Sequence, residues 1–135
     1  MASLIQRLHE VLSRRPEVLE AYLFGSCAAG RSQPHSDIDV AVYIDLERAG
    51  RPDYGYQASL TAALMSALAT NEVDVVVLNQ APPLLYHRIL RDGRRILARD
   101  LASTTTREGQ ALSRYCDYAV QLSKLEAGRR RTHAK

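Results

Sequence analysis

Residues 18–42 carry the stretch that decides the fold: Val18-Leu19-Glu20-Ala21-Tyr22-Leu23-Phe24, then Gly25-Ser26, ten residues, and Asp37-Ile38-Asp39-Val40-Ala41-Val42. Two apolar, strand-like runs flank a small-residue turn. The second run opens with two aspartates at spacing two. Strand side chains alternate between faces, so both carboxylates leave from the same face. Held that close, two like charges raise each other's cost of ionisation. A shared divalent cation with oxygen ligands removes the conflict, and Mg²⁺ is the usual choice where phosphate is also bound. A glycine at 25 lets backbone approach a ligand closely, and the Ser26 hydroxyl with neighbouring N–H groups can donate to phosphate oxygens.

A third carboxylate follows in Glu72-Val73-Asp74-Val75-Val76-Val77-Leu78, the most strand-like run of the chain. A charge inside such a run is costly in a central, buried strand unless it finds a partner. If this strand lies beside the one bearing Asp37 and Asp39, three carboxylates converge on one point. That set suits two metal ions bridging a nucleoside triphosphate and an attacking hydroxyl. Taken singly, Asp-x-Asp caps turns and Gly-Ser is a common turn pair. The combination, with its spacing and strand context, favours a site.

The pattern Gly25-Ser26-x₁₀-Asp37-x-Asp39 with the downstream Asp74 resembles the nucleotidyltransferase superfamily of the polymerase-beta type. In its short form it resembles the minimal nucleotidyltransferases that act as antitoxins of HEPN toxins, from about Leu4 to Asp100. The resemblance implies an α/β (α+β) fold: a small mixed sheet with flanking helices and an added C-terminal helix. It implies that Gly25 and Ser26 hold the triphosphate, that Asp37 and Asp39 bind two Mg²⁺ ions, and that Asp74 completes the site and accepts a proton. Many relatives carry a basic residue just before the second glycine of the loop. Here that position is Ala29, and Arg31 beyond Gly30 is the candidate to neutralise the triphosphate, with Ser36 also among the nucleotide-binding positions. ATP is the implied substrate and a tyrosine of a HEPN-type RNase toxin the implied acceptor of AMP. Alternatives are a small-molecule transferase of the aminoglycoside-modifying kind, and an antitoxin that acts by contact alone. His9, His35, His87 and His133 show neither metal spacing nor the Arg-x₄-His pattern of the RNase, so this chain is not itself that toxin.

At 135 residues, 46% of them apolar, the chain can fill one core. The expected division is a transferase domain over 1–100, a C-terminal helix over 101–128 open to partner contact, and a disordered basic tail over 129–135. Net charge is +3, and Arg129, Arg130, Arg131 and Lys135 account for the whole excess. No general nucleic-acid surface is therefore expected. No apolar run approaches a membrane span, and the N-terminus lacks a signal-peptide stretch. Two cysteines, Cys27 and Cys116, make no disulfide framework or zinc spacing. A reduced, cytoplasmic setting is expected.

Helical spacing of Leu4, Ile5, Leu8, Val11 and Leu12 predicts a first helix, ended by Pro16. Leu46 to Tyr56, with Gly50, Pro52 and Gly55, reads as an exposed loop, and Gln57 to Ala69 as a helix. Pro82-Pro83 opens another helix that Gly93 ends, and Arg95 to Ala98 reads as a short edge strand. Ser103 and Thr104–Thr106 are candidate caps for a last helix from Arg107 to about Ala127. On it Tyr115, Tyr118 and Leu122 form a stripe for the core or for another protein.

Overall fold

Why the acidic strand ends meet follows from the order and direction of four strands. The computed structural model describes residues 2–25, 37–49 and 54–133. Strands β1 (Val18–Phe24), β2 (Ile38–Ile44), β3 (Val73–Val77) and β4 (Arg94–Ala98) form one sheet in the order β3-β2-β1-β4. β1 pairs antiparallel with β2 and with β4, whereas β3 runs parallel to β2. The C-terminal end of β1 therefore meets the N-terminal ends of β2 and β3 at one corner.

Each face of the sheet is covered. Val18, Ala21, Leu23, Val40, Val42 and Val75 point to a core closed by α1 (Ala2–Ser13) and α3 (Tyr54–Leu68), which supply Leu8, Leu12, Leu60 and Leu64. The alternate residues Tyr22 and Ala41 face a smaller core closed by α4 (Pro83–Asp92) and α5 (Leu101–His133), through Tyr86, Ile89 and Ala111. This is the period of two expected of strands buried on both sides. Arg99 holds the first layer in place. Its guanidinium donates to the carbonyls of Leu12, Ser13 and Arg15 at the end of α1 and of Val18 in β1, satisfying acceptors that a helix C-terminus leaves open. The Asn79 side chain donates to the Ile44 carbonyl and accepts from its N–H, both at 2.9 Å, and so closes the far end of β2.

The expected first helix, the strand over Val18–Phe24, the helix opened by Pro83 and the edge strand before Ala98 are all present. Four expectations change. The stretch from Leu46 to Tyr56 contains a helical turn, α2 (Leu46–Ala49), and the start of α3 at Tyr54; residues 50–53 lie outside the described residues. Asp45 starts α2, its carboxylate accepting from the Glu47 N–H at 3.1 Å and its carbonyl from the Ala49 N–H at 2.9 Å. The last helix begins at Leu101, six residues before Arg107. Asp100, not the threonine run, sits at its head, with the Thr104 N–H on the Asp100 carbonyl and the Ser103 hydroxyl on its carboxylate. Thr105 and Thr106 instead turn their hydroxyls back onto the carbonyls of Leu101 and Ala102. The basic segment from Arg129, expected to be disordered, continues the helix to His133. Finally, β3 is an edge strand, so Asp74 is exposed on its rim and not buried in a central strand.

α5 is locked to the sheet by a charge the sequence hides in an apolar strand. Glu20, fully buried in β1, accepts from Arg107 Nε at 2.7 Å and again from its Nη2, and from the Thr104 hydroxyl at 2.9 Å. The Arg107 guanidinium also lies 5.0 Å from the centre of the Tyr43 ring. Among the described residues no helix is long and apolar enough to cross a membrane. Removing one partner of a buried pair leaves the other charge uncompensated. Arg107→Ala is expected to destabilise the fold by about 3 kcal/mol, and Arg107→Lys by less, read as a drop in urea midpoint at unchanged slope.

Candidate active site

Register does most of the assembly. Phe24 of β1 lies opposite Asp39 of β2, and Asp39 lies opposite Asp74 of β3. The row Phe24–Asp39–Asp74 crosses the sheet at the corner where β1 ends and β2 and β3 begin. Because Ala41 and Val76 point to the α4–α5 layer, Asp39 and Asp74, two residues earlier on each strand, point to the same side. Asp37 stands one residue before β2 begins and is exposed.

Gly25 closes the corner from the β1 side. Its φ of +75° is a conformation L side chains rarely adopt. The site has no room for a side chain either: a Cβ at this position would stand 2.2 Å from Oδ2 of Asp39. Backbone and carboxylate thus pack directly against each other, and only glycine permits it.

The electrostatics match this crowding. Burial pushes the Asp39 carboxyl above its ordinary value, and the negative charges of Asp74 and then Asp37 push it the same way. All three causes raise it. Among the described residues, no group of three His, Cys, Asp or Glu side chains is drawn tightly enough to hold a metal ion as it stands. In kind, however, the donors fit a hard divalent cation: three carboxylates, no thiolate and no imidazole, with one of them already disfavoured as a bare anion. Of the residues expected from sequence, Gly25, Asp37, Asp39 and Asp74 come together here. Ser26, Arg31 and Ser36 lie outside the described residues.

A second feature on the same face has no counterpart in the sequence reading. Between α4, β4 and α5 opens a cleft of about 480 Å³, walled by Tyr22, His87, Arg91, Arg95, Glu108 and Leu112. The Tyr22 hydroxyl donates to Glu108 Oε2 at 2.6 Å, and Arg95 donates to Oε1 at 2.7 Å. Burial and that carboxylate hold the Tyr22 hydroxyl protonated well above the usual phenol range. His87 stacks on Tyr115 with ring centres 3.7 Å apart. Glu20 inside an apolar strand was the one legible hint that polar contacts reach β1 from a distant helix; the cleft joins segments too far apart in sequence for any spacing to announce it.

A family model described as "Polymerase beta, Nucleotidyltransferase" matches residues 6–102, most of the chain. The chain belongs to this nucleotidyltransferase family. Solved structures share its fold over nearly the whole length. A toxin–antitoxin complex with AMP-PNP contains a chain of 24% identity and TM-score 0.75, the match covering 92% of this chain and 96% of that one. An MNT antitoxin complexed with the tri-AMPylated HEPN toxin of Shewanella oneidensis gives 22%, 0.71, and coverage of 94% and 96%. A third, the MntA–HepT toxin–antitoxin complex, gives 22%, 0.72, and coverage of 95% and 97%. A comparison with curated protein sequences finds no match.

Gly25→Ala tests the corner. The new methyl group would have to displace the Asp39 carboxylate or the turn. Nucleotidyl transfer is expected to fall about 100-fold or more, while stability drops by only about 1–3 kcal/mol, measured by initial rates and thermal unfolding on the same preparation.

Proposed function

We propose that this chain is a protein adenylyltransferase that acts as an antitoxin, moving AMP from ATP to a hydroxyl of a HEPN-type toxin, with a tyrosine as the acceptor. The observation that carries the reading is the pairing of Asp39 with Asp74 at the corner that Gly25 closes. Family membership supports the reaction class. The acceptor is supported by the kind of complexes that share the fold, one of which holds an AMPylated toxin and another an ATP analogue.

Asp37, Asp39 and Asp74 would hold the Mg²⁺ ions that the reaction calls for. When bound, these ions supply charge neutralisation for the triphosphate and a lowered pKa for the acceptor hydroxyl. The remaining steps belong to the chain. Gly25 lets the backbone approach the triphosphate, and Ser26, Arg31 and Ser36 are the residues proposed to hold its oxygens. Asp74, exposed on the rim of the sheet, is open to an incoming hydroxyl and takes its proton. A new bond forms between the acceptor oxygen and the α-phosphorus, and the bond from that phosphorus to the bridging oxygen breaks. Pyrophosphate leaves, and AMP stays on the acceptor. No residue of the chain forms a covalent bond at any point. A phenol, with a pKa near about 10, is within reach of this chemistry. The product carries a phosphodiester charge that would repel RNA from a nuclease site.

The test is intact-mass spectrometry of the product of the neighbouring gene after incubation with this chain, ATP and Mg²⁺. The expected product is heavier by about 330 Da for each AMP added. Asp39→Ala is expected to abolish the shift with a Tm within about 5 °C of wild type, since removing one of several repelling carboxylates costs the fold little. An unmodified but inhibited partner would favour neutralisation by contact, and an unmodified, uninhibited one a small-molecule acceptor.

A further inference from the structure

We propose that the distal half of α5 is the docking surface for one amphipathic helix of the acceptor protein, which continues the line of α4 and leads the acceptor toward the acidic corner. This rests on the reading that the acceptor is a protein. α5 has 33 residues, a rod of about 50 Å. Only its first turns are occupied by the sheet, through Thr104, Arg107, Glu108 and Ala111. From Ala111 onward, Tyr115, Tyr118, Leu122 and Leu125 follow at alternating spacings of four and three. Their mean spacing of 3.5 is the period that keeps one helix facing another along its length.

Within the described chain, α4 provides that second helix only at the start. It begins only at Pro83, and Leu84 in its first turn shares a hollow of about 190 Å³ with Tyr115, Tyr118, Ala119 and Leu122, rimmed by Ser123 and Glu126. The seam continues past this point: Leu122 is 42% and Leu125 61% exposed, and Leu84 and Tyr118 are more than a third exposed. A mainly apolar hollow with a polar rim is the kind of hole into which a partner helix inserts a side chain. A stripe of this length exceeds the scattered exposed leucines of an ordinary surface. The fractions that these side chains leave exposed are apolar area that a partner helix can still remove from water.

Continuity decides the occupant. Tyr115 stacks on His87, and His87 and Leu112 also wall the larger cleft. That cleft reaches Gly93, where an added Cβ would lie 3.4 Å from Cβ of Phe24, the register partner of Asp39. Seam, cleft and acidic corner therefore form one track on one face. A second copy of this chain, pairing its own α5 along the seam, would leave the cleft unfilled; an acceptor protein fills both.

The test uses the full chain and the product of the neighbouring gene. Calorimetry is expected to show the complex weakened about 100-fold or more by Tyr118→Asp with Leu122→Asp, and again by Leu125→Asp, with Val120→Asp on the opposite face without effect. Circular dichroism should be unchanged in all of them, and AMP transfer at saturating partner should stay within about twofold, since the carboxylates are untouched. Seam variants that bind within about threefold of wild type would overturn the proposal, as would a wild-type chain that forms no complex. It would equally fall if light scattering showed a dimer of this chain that the seam charges dissolve. If the seam variants lose the complex while the wild-type chain binds without transferring AMP, the docking surface stands and the adenylyltransferase reading fails.

Discussion

The constraint on which the rest depends is the pairing of two aspartates across parallel strands. Asp39 sits opposite Asp74, and like charges directly opposite each other destabilise a sheet. Nothing in the folding of the core calls for this. The apolar residues of β2 and β3 would be buried equally well if both positions held valine. The arrangement persists at a place where its cost is contained, at the ends of two strands and on the rim of the sheet, with Asp37 and Asp74 exposed. Only Asp39 is drawn inward, and its carboxyl responds with a raised pKa. A repulsive cluster that is open to solvent on one side and walled by a glycine backbone on the other is built to receive positive charge.

Around that corner the fold is organised to keep the register true. A slip of one residue between β2 and β3 would send Asp74 to the opposite face. The hydrophobic alternation of both strands opposes such a slip, because it would also turn Val75 and Val77 away from the α1–α3 core. At the far end, the amide of Asn79 fixes β2 through its last residue. On the other side of β1, the buried Glu20–Arg107 contact ties the first turns of α5 to the face that carries the site. The helix is thereby an element of the catalytic body at one end and a free arm at the other, and this division gives the arm a fixed direction relative to the carboxylates.

Much of this was legible before any coordinates. Strand alternation around Asp37, Asp39 and Asp74, and the proline and glycine punctuation at Pro83 and Gly93, were local signals, and local signals survive folding. Gly25 was legible as a turn, although its clash-limited contact with Asp39 was not, because that depends on tertiary packing. What failed was of two kinds. Capping at Asp45 and Asp100 went unread because a threonine run and a glycine-rich stretch offered more conspicuous punctuation. The edge position of β3 was unreadable because strand order is a property of the whole sheet: a run of valines looks the same at its centre and at its rim. The Tyr22–Glu108–Arg95 network and the cleft it borders join residues as many as 86 positions apart, and no periodicity reports such a meeting.

The central claim is that the corner formed by Gly25, Asp37, Asp39 and Asp74 binds the triphosphate through divalent cations. Calorimetry with α,β-methylene ATP, which cannot transfer its nucleotide, measures this directly, with Mg²⁺ present and with EDTA in its place. Three carboxylates facing a triphosphate repel it until metal intervenes, so affinity is expected to fall about 100-fold or more in EDTA, and Asp39→Asn is expected to remove most of that difference. Equal affinity in both buffers would contradict the account and move the triphosphate away from the three aspartates.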